Sequence, residues 1–205
     1  MVTTETSFFR DAHPFEALRK SVLPELLKAR QAEKRLSLWC AASSSGQEPY
    51  TVALILREYF PELADWKVTF QATDISQDML ARCRDGSYSQ IEVNRGLPAA
   101  LLVKYFRQEG ARWRARDDLR AMIEFTRLNL AAPWPVMPTF DLILMRNVMI
   151  YFDVDTKKSI LRRLARQLRP DGYLVLGGAE TTLNLDDSYA RVEALKSGFY
   201  QLAKK

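Results

Sequence analysis

Two carboxylates stand where an α/β sheet presents its ligand-binding edge. Glu48 lies in SSSGQEPY, between an apolar run, Leu36 to Ala41, and an amphipathic one, Tyr50 to Phe60. Asp74 follows the next apolar run, KVTFQAT, Lys67 to Thr73. A loop that cradles phosphate needs glycines, so that backbone N–H groups can approach at a helix N-terminus whose dipole favours anions. Only Gly46 is available here, and Glu48 in the first helical turn would repel a phosphate and attract a cation. An acid at the end of the second strand of such folds accepts hydrogen bonds from ribose hydroxyls. A nucleoside carrying both an ammonium and a sulfonium, S-adenosylmethionine, suits the pair, with ribose at Asp74 and the methionyl ammonium near Glu48 or a loop carbonyl. A nicotinamide cofactor is the alternative, and Glu48 taken alone would also serve to offset the helix dipole.

The elements that must position these acids alternate between strand and helix patterns, which predicts a parallel sheet covered by helices. Leu36–Ala41 and Lys67–Thr73 read as strands, Tyr50–Phe60 as a helix, and Ser76 as the cap of a helix through Arg84. FDLILM, Phe140 to Met145, is a further strand. The spacing of Ile160, Leu161, Leu164 and Leu168 predicts a helix over 155–168, and a Pro-Asp-Gly turn leads into the strand YLVLGG. ARVEALKSGFYQLAKK reads as two short strands joined by Lys196-Ser197-Gly198, an antiparallel hairpin that a plain dinucleotide-binding fold does not have. A further helix is expected over Phe15 to Glu33, with Arg19, Lys20, Lys28 and Arg30 on it. Between Ser87 and Asn129 the alternation breaks, and Glu109-Gly110 offers a turn, so a small inserted β subdomain is expected at about 88–123. Its WRAR segment, Trp113 to Arg116, lacks a longer basic tract and reads as a solvated edge strand, so no nucleic acid is expected.

Composition bounds the rest. A chain of 205 residues that is 47% hydrophobic is long enough to bury one sizeable core. No apolar run approaches the roughly 20 residues that span a bilayer, and MVTTETSFFRD has no apolar segment behind a basic start. A cytoplasmic protein is expected, with Cys40 and Cys83 reduced and without CxxC spacing. The lone His13 makes a metal site improbable, and its place before Pro14 suggests a turn. A net charge of +5 suits an acidic partner surface.

Five stretches taken in order, TETSFFRDAHPFEAL, WCAASSSGQEPYTVAL, ATDISQDMLARCRDGSY, FDLILMRNVMIYFD and LRPDGYLVLGGAET, resemble the chemotaxis receptor methyltransferases, the CheR family. The resemblance runs from Thr4 to about Tyr200. It implies an α/β fold, a Rossmann-like class I S-adenosylmethionine-dependent methyltransferase sheet with a C-terminal antiparallel hairpin. It divides the chain into residues 1–34, a linker and helix carrying part of the cofactor site, and residues 35–205, the methyltransferase domain. The activity implied is methyl transfer from S-adenosylmethionine to glutamate side chains on the cytoplasmic domain of methyl-accepting chemotaxis proteins, by a monomer without metal. Most of the family's N-terminal helical domain is expected to be absent.

Site residues carry over by position. Thr4, Thr6 and Arg10 match the family's N-terminal cofactor segment, with Thr4 in place of the usual Asn. Glu48 matches the acid of the loop motif, where Gln47 replaces a first acid, and Asp74 the ribose-binding aspartate. Asn129 and Leu130 match a pair flanking the adenine, Arg146, Asn147 and Val148 the RNV segment, and Tyr151 the active-site tyrosine. Arg10 and Tyr151 are the catalytic candidates. Arg10 would pair with either the acceptor carboxylate or the methionyl carboxylate, and Tyr151 would orient either acceptor or donor. The alternatives are a non-catalytic S-adenosylmethionine-binding sensor or scaffold, or a methyltransferase with another acceptor.

Overall fold

A computed structural model of the chain describes residues 5–196 and 198–203, so Thr4 lies outside the described residues. Among the described residues ten strands form: β1 (Arg35–Cys40), β2 (Lys67–Asp74), β3 (Ser87–Ser89), β4 (Phe106–Glu109), β5 (Arg112–Ala115), β6 (Glu124–Arg127), β7 (Phe140–Met145), β8 (Leu168–Leu176), β9 (Tyr189–Arg191) and β10 (Phe199–Leu202). Seven of them make one sheet in the order β6-β2-β1-β7-β8-β10-β9. Its first five strands pair in parallel, whereas β10 runs antiparallel to both β8 and β9. The expected C-terminal hairpin is therefore present, with a connection longer than three residues because a short helical turn, Glu193–Leu195, precedes Lys196.

Strand alternation divides the core between the two faces of the sheet. Leu36, Leu38 and Cys40 pack with Leu142 and Leu144 on one face, and Trp39 packs with Ile143 and Met145 on the other. The Pro-Asp-Gly turn falls within β8: Phe140 pairs with Leu168 but Leu142 pairs with Tyr173, so the extra residues bulge outward.

Three sequence expectations are corrected. The N-terminal helix covers residues 13–30 in three segments, His13–Ala17, a π turn at Leu18–Val22, and Leu23–Arg30. The Leu23 N–H bonds to Leu18 O just ahead of Pro24, which has no N–H to give. Arg30 at its end is buried, bonding Asp141 at 2.6 Å and Asp171 at 2.8 Å. The helix after β1 begins at Gln47 rather than Tyr50, because Pro49 fits the first turn, where no N–H is needed. Finally, the WRAR segment is no edge strand. β5 is central in a small sheet, β3-β5-β4, whose strand β3 comes from a distant stretch that local pattern does not reveal. Trp113 Nε1 there donates to Gln90 at 2.8 Å, and Arg114 pairs with Asp85 at 3.1 Å.

Candidate active site

The carboxyl ends of β1, β2 and β7 open into a cavity of about 400 Å³, the usual place and size for a ligand site in such sheets. Thr6, Arg10, Glu48, Asp74, Asn129, Leu130, Arg146, Asn147, Val148 and Tyr151 all line it, so one pocket gathers every candidate among the described residues.

The loop between β1 and the following helix is held by backbone and side-chain hydrogen bonds. Ser43 N–H bonds to Thr73 O at 2.9 Å, Tyr88 donates its hydroxyl to Ser45 O at 2.9 Å, and Ser45 Oγ donates to Gln47 at 2.7 Å. Gly46 adopts φ +98°, and a Cβ there would come within 2.7 Å of the Tyr88 hydroxyl. Asp74 ties this loop to the next: Oδ2 accepts from Ser44 N–H at 2.8 Å and Oδ1 from Ser76 N–H at 2.9 Å. Each carboxylate oxygen keeps a second lone pair, enough to receive two vicinal hydroxyls.

Glu48 is already paired. Its Oε2 accepts from Arg146 at 2.7 Å, and its Oε1 from the Cys40 thiol at 3.3 Å. Burial and the neighbouring Glu48 carboxylate push the Cys40 thiol well up, and burial pushes Cys83 up to about 12, so both stay protonated at neutral pH. Arg146 also bonds Asp11 Oδ2 at 2.8 Å and Arg10 O at 3.1 Å, and its guanidinium lies 5.2 Å from the Phe15 ring centre. The arginine thus joins the helix after β1 to the N-terminal segment across one wall of the pocket. The segment needs fastening, since Phe9, Asp11 and Ala12 all have positive φ. Arg146 Nε is buried without a partner.

Asn129 and Leu130 are shaped from a distance. Asn129 Oδ1 accepts from Ala131 N–H at 3.0 Å, and Arg163 donates to Leu130 O at 2.8 Å while stacking on Trp134 at 4.5 Å. Arg163 stands on the helix Val154–Gln167, capped by Asp153, which accepts from Thr156 N–H at 2.8 Å. Arg10 donates to Glu5 O at 2.9 Å, and Tyr151 is 42% exposed in the short turn after β7.

One residue of the site was passed over in sequence. Glu180 accepts from the N–H groups of Asn147 (2.8 Å), Val148 (2.9 Å), Met149 (2.7 Å) and Gly177 (2.7 Å). The carboxylate locks the loop that carries Asn147, itself at φ +58°. Its only signal is an acid shortly after a strand that ends in Gly-Gly; nothing local says what it binds.

Residues 4–197 match the model of the CheR methyltransferase S-adenosylmethionine-binding domain. The chain belongs to the CheR methyltransferase family. It is 40% identical over 205 residues to chemotaxis protein methyltransferase 1 of Pseudomonas aeruginosa, covering 98% of this chain and 74% of that protein. It is 37% identical over 191 residues to the chemotaxis protein methyltransferase of Escherichia coli, covering 91% of this chain and 64% of that one. The cofactor of this CheR-type methyltransferase is S-adenosylmethionine, and the residues fit it: paired acceptors at Asp74 and apolar walls at Leu128, Leu130 and Val148. Among the described residues no group of three His, Cys, Asp or Glu is placed to hold a metal ion, and no helix is long and apolar enough to cross a membrane.

Proposed function

We propose that the chain methylates glutamate side chains of methyl-accepting chemotaxis proteins. The observation that carries this reading is that Arg10 and Tyr151, an anion-pairing group and a partly exposed hydroxyl, line the same cavity as Asp74, in a chain whose relatives are chemotaxis methyltransferases. No base is required. A glutamate with pKa about 4.3 is almost wholly ionised at pH 7, so its oxygen can take a methyl group with no proton to move.

Held by these residues, S-adenosylmethionine would supply an electrophilic methyl group on sulfur, which a carboxylate oxygen could take while sulfur kept the bonding electron pair. The protein's part is alignment and desolvation. Oxygen and methyl carbon must be held about 3 to 3.5 Å apart, and a carboxylate stripped of water must be paired. Arg10 serves that pairing or holds the methionyl carboxylate, and Tyr151 donates a hydrogen bond to orient the acceptor. Thr4 and Thr6 are assigned to the cofactor side of the same segment.

The test is to incubate the purified chain with S-adenosylmethionine labelled in its methyl group and the cytoplasmic fragment of a methyl-accepting chemotaxis protein. Base-labile label released as methanol is expected, since esters hydrolyse where N-methyl groups do not. Base-stable label would point to another acceptor atom. Tight S-adenosylhomocysteine binding without any transfer would point to a sensor or scaffold.

A further inference from the structure

Two walls of the cofactor pocket are irregular backbone that needs support from elsewhere. One is the loop 41–46, which contributes Ala41, Ala42 and Ser44 to the lining and in which Ser44 and Gly46 take φ of +48° and +98°. The other is the segment 5–11, which contributes Glu5, Thr6 and Arg10 and in which Phe9 and Asp11 take φ of +50° and +67°. Backbone in such conformations persists only where surrounding contacts fix it.

The inserted subdomain reaches both walls, although none of its residues lines the pocket. Tyr88, in the middle of β3 and 1% exposed, donates its hydroxyl to Ser45 O at 2.9 Å. The neighbouring Ser44 N–H donates to Asp74 Oδ2 at 2.8 Å, so this bond stands one residue from the carboxylate proposed to take the ribose. The same ring packs edge-on against Phe8, 5.0 Å between centres and 78° between planes, and Phe8 in turn meets Phe106 of β4 at 5.9 Å. Phe8 is fully buried and stands two residues from Thr6 on one side and from Arg10 on the other. The loop that follows the subdomain's first helix braces the same segment: Arg95 pairs with Glu5 at 2.7 Å, and Gly96 lies so close that an added Cβ would overlap Phe8 O. Burial pushes the Tyr88 hydroxyl well above the usual tyrosine range, so it stays a donor at neutral pH.

We infer that Tyr88 is a positioning residue of this methyltransferase: it holds one wall of the cofactor pocket by its hydroxyl and the other by its ring, and so sets the affinity for S-adenosylmethionine without touching it. The role rests on the cofactor site alone and is the same whichever acceptor takes the methyl group. In Tyr88→Phe the ring still supports Phe8, but Ser45 O, buried, loses its donor, and the loop that carries Ser44 is released. Coupling between two sites is reciprocal, so a ligand that orders the walls also orders the small sheet.

The experiment compares wild type with Tyr88→Phe and with Tyr105→Phe. Tyr105 belongs to the same subdomain and donates its hydroxyl to Glu58 at 2.7 Å, away from the pocket, so this second variant loses the same group without touching either wall. Calorimetry with S-adenosylhomocysteine is expected to show a Kd raised about tenfold in Tyr88→Phe and within twofold of wild type in Tyr105→Phe, with the melting temperature lowered in both. A Kd within twofold of wild type in Tyr88→Phe overturns the inference. A comparable rise in both variants also overturns it, because the effect would then be one of general stability. Hydrogen exchange on the wild-type chain gives a second measurement that does not depend on a variant folding. Adding S-adenosylhomocysteine is expected to slow exchange in Ser87–Ser89 and Phe106–Glu109 as well as in 5–11 and 41–46. Slowing confined to the two walls overturns the coupling, and a wild type that binds no S-adenosylhomocysteine overturns it together with the cofactor site.

Discussion

At the scale of single residues, the roles proposed for Asp74 and Tyr151 separate binding from turnover. Asp74 offers charge-assisted hydrogen bonds to two hydroxyls, each worth about 1.5 to 3 kcal/mol. Asp74→Ala is therefore expected to weaken S-adenosylhomocysteine binding about 100-fold or more in calorimetry, and unchanged affinity would remove the residue from the site. Tyr151→Phe deletes one hydroxyl and is expected to lower kcat about tenfold or more while leaving that affinity within threefold. Glu180 belongs to a different kind. In Glu180→Gln an NH2 group would face backbone N–H donors, so a lower melting temperature together with about tenfold weaker S-adenosylhomocysteine binding is expected. Loss of neither would mean that the loop after β7 holds its shape unaided. Asp74 and Glu48 were legible in sequence because a strand end and a first helical turn are local positions. Glu180 and the Arg146 network were not, since partners 31 to 33 residues from Glu180, and 98 and 135 residues from Arg146, leave no local pattern.

Among the elements, the helix Val154–Gln167 does more than cover the sheet. Through Arg163 it holds the carbonyls of Leu130 and Ala132, which fixes the irregular segment between β6 and β7 where the adenine is assigned. Arg163→Ala is expected to raise the Kd for S-adenosylhomocysteine about tenfold while kcat at saturating cofactor changes little. A fall in kcat with Kd unchanged would contradict that role. The periodicity of Ile160, Leu161 and Leu164 made this helix readable, because those side chains face the core and are fully buried. The same logic failed to foresee how the helix expected over Phe15 to Glu33, present as residues 13–30, is interrupted. A π turn shifts the apolar phase in mid-helix, and a 3.6-residue pattern cannot anticipate it. It failed too for WRAR, where strand β3, which makes β5 central, lies more than twenty residues upstream.

For the whole molecule, Arg30 joins the N-terminal helix to the sheet through Asp141 and Asp171. The Arg30 guanidinium holds Asp171 below the usual carboxylate range. A lowered folded-state pKa gives stability that is present above the unfolded value, about 3.9, and lost as pH falls through the folded one. Asp171→Asn is accordingly expected to lower the melting temperature at pH 7, with the difference from wild type shrinking below about pH 4. A difference independent of pH would mean that the ion pair contributes nothing through its charge.

The bridge from Arg146 to Glu48 and Asp11 also bears on when the cofactor pocket comes into being. Asp11 and Arg146 stand near opposite ends of the first 146 residues, and contacts that close such long loops form late, after local helices and hairpins. A nascent chain that has not yet emerged past Arg146 lacks the wall that fastens the N-terminal segment, however much of β1 and β2 it has already folded. Cofactor binding is thus expected only of a chain that has emerged past Arg146.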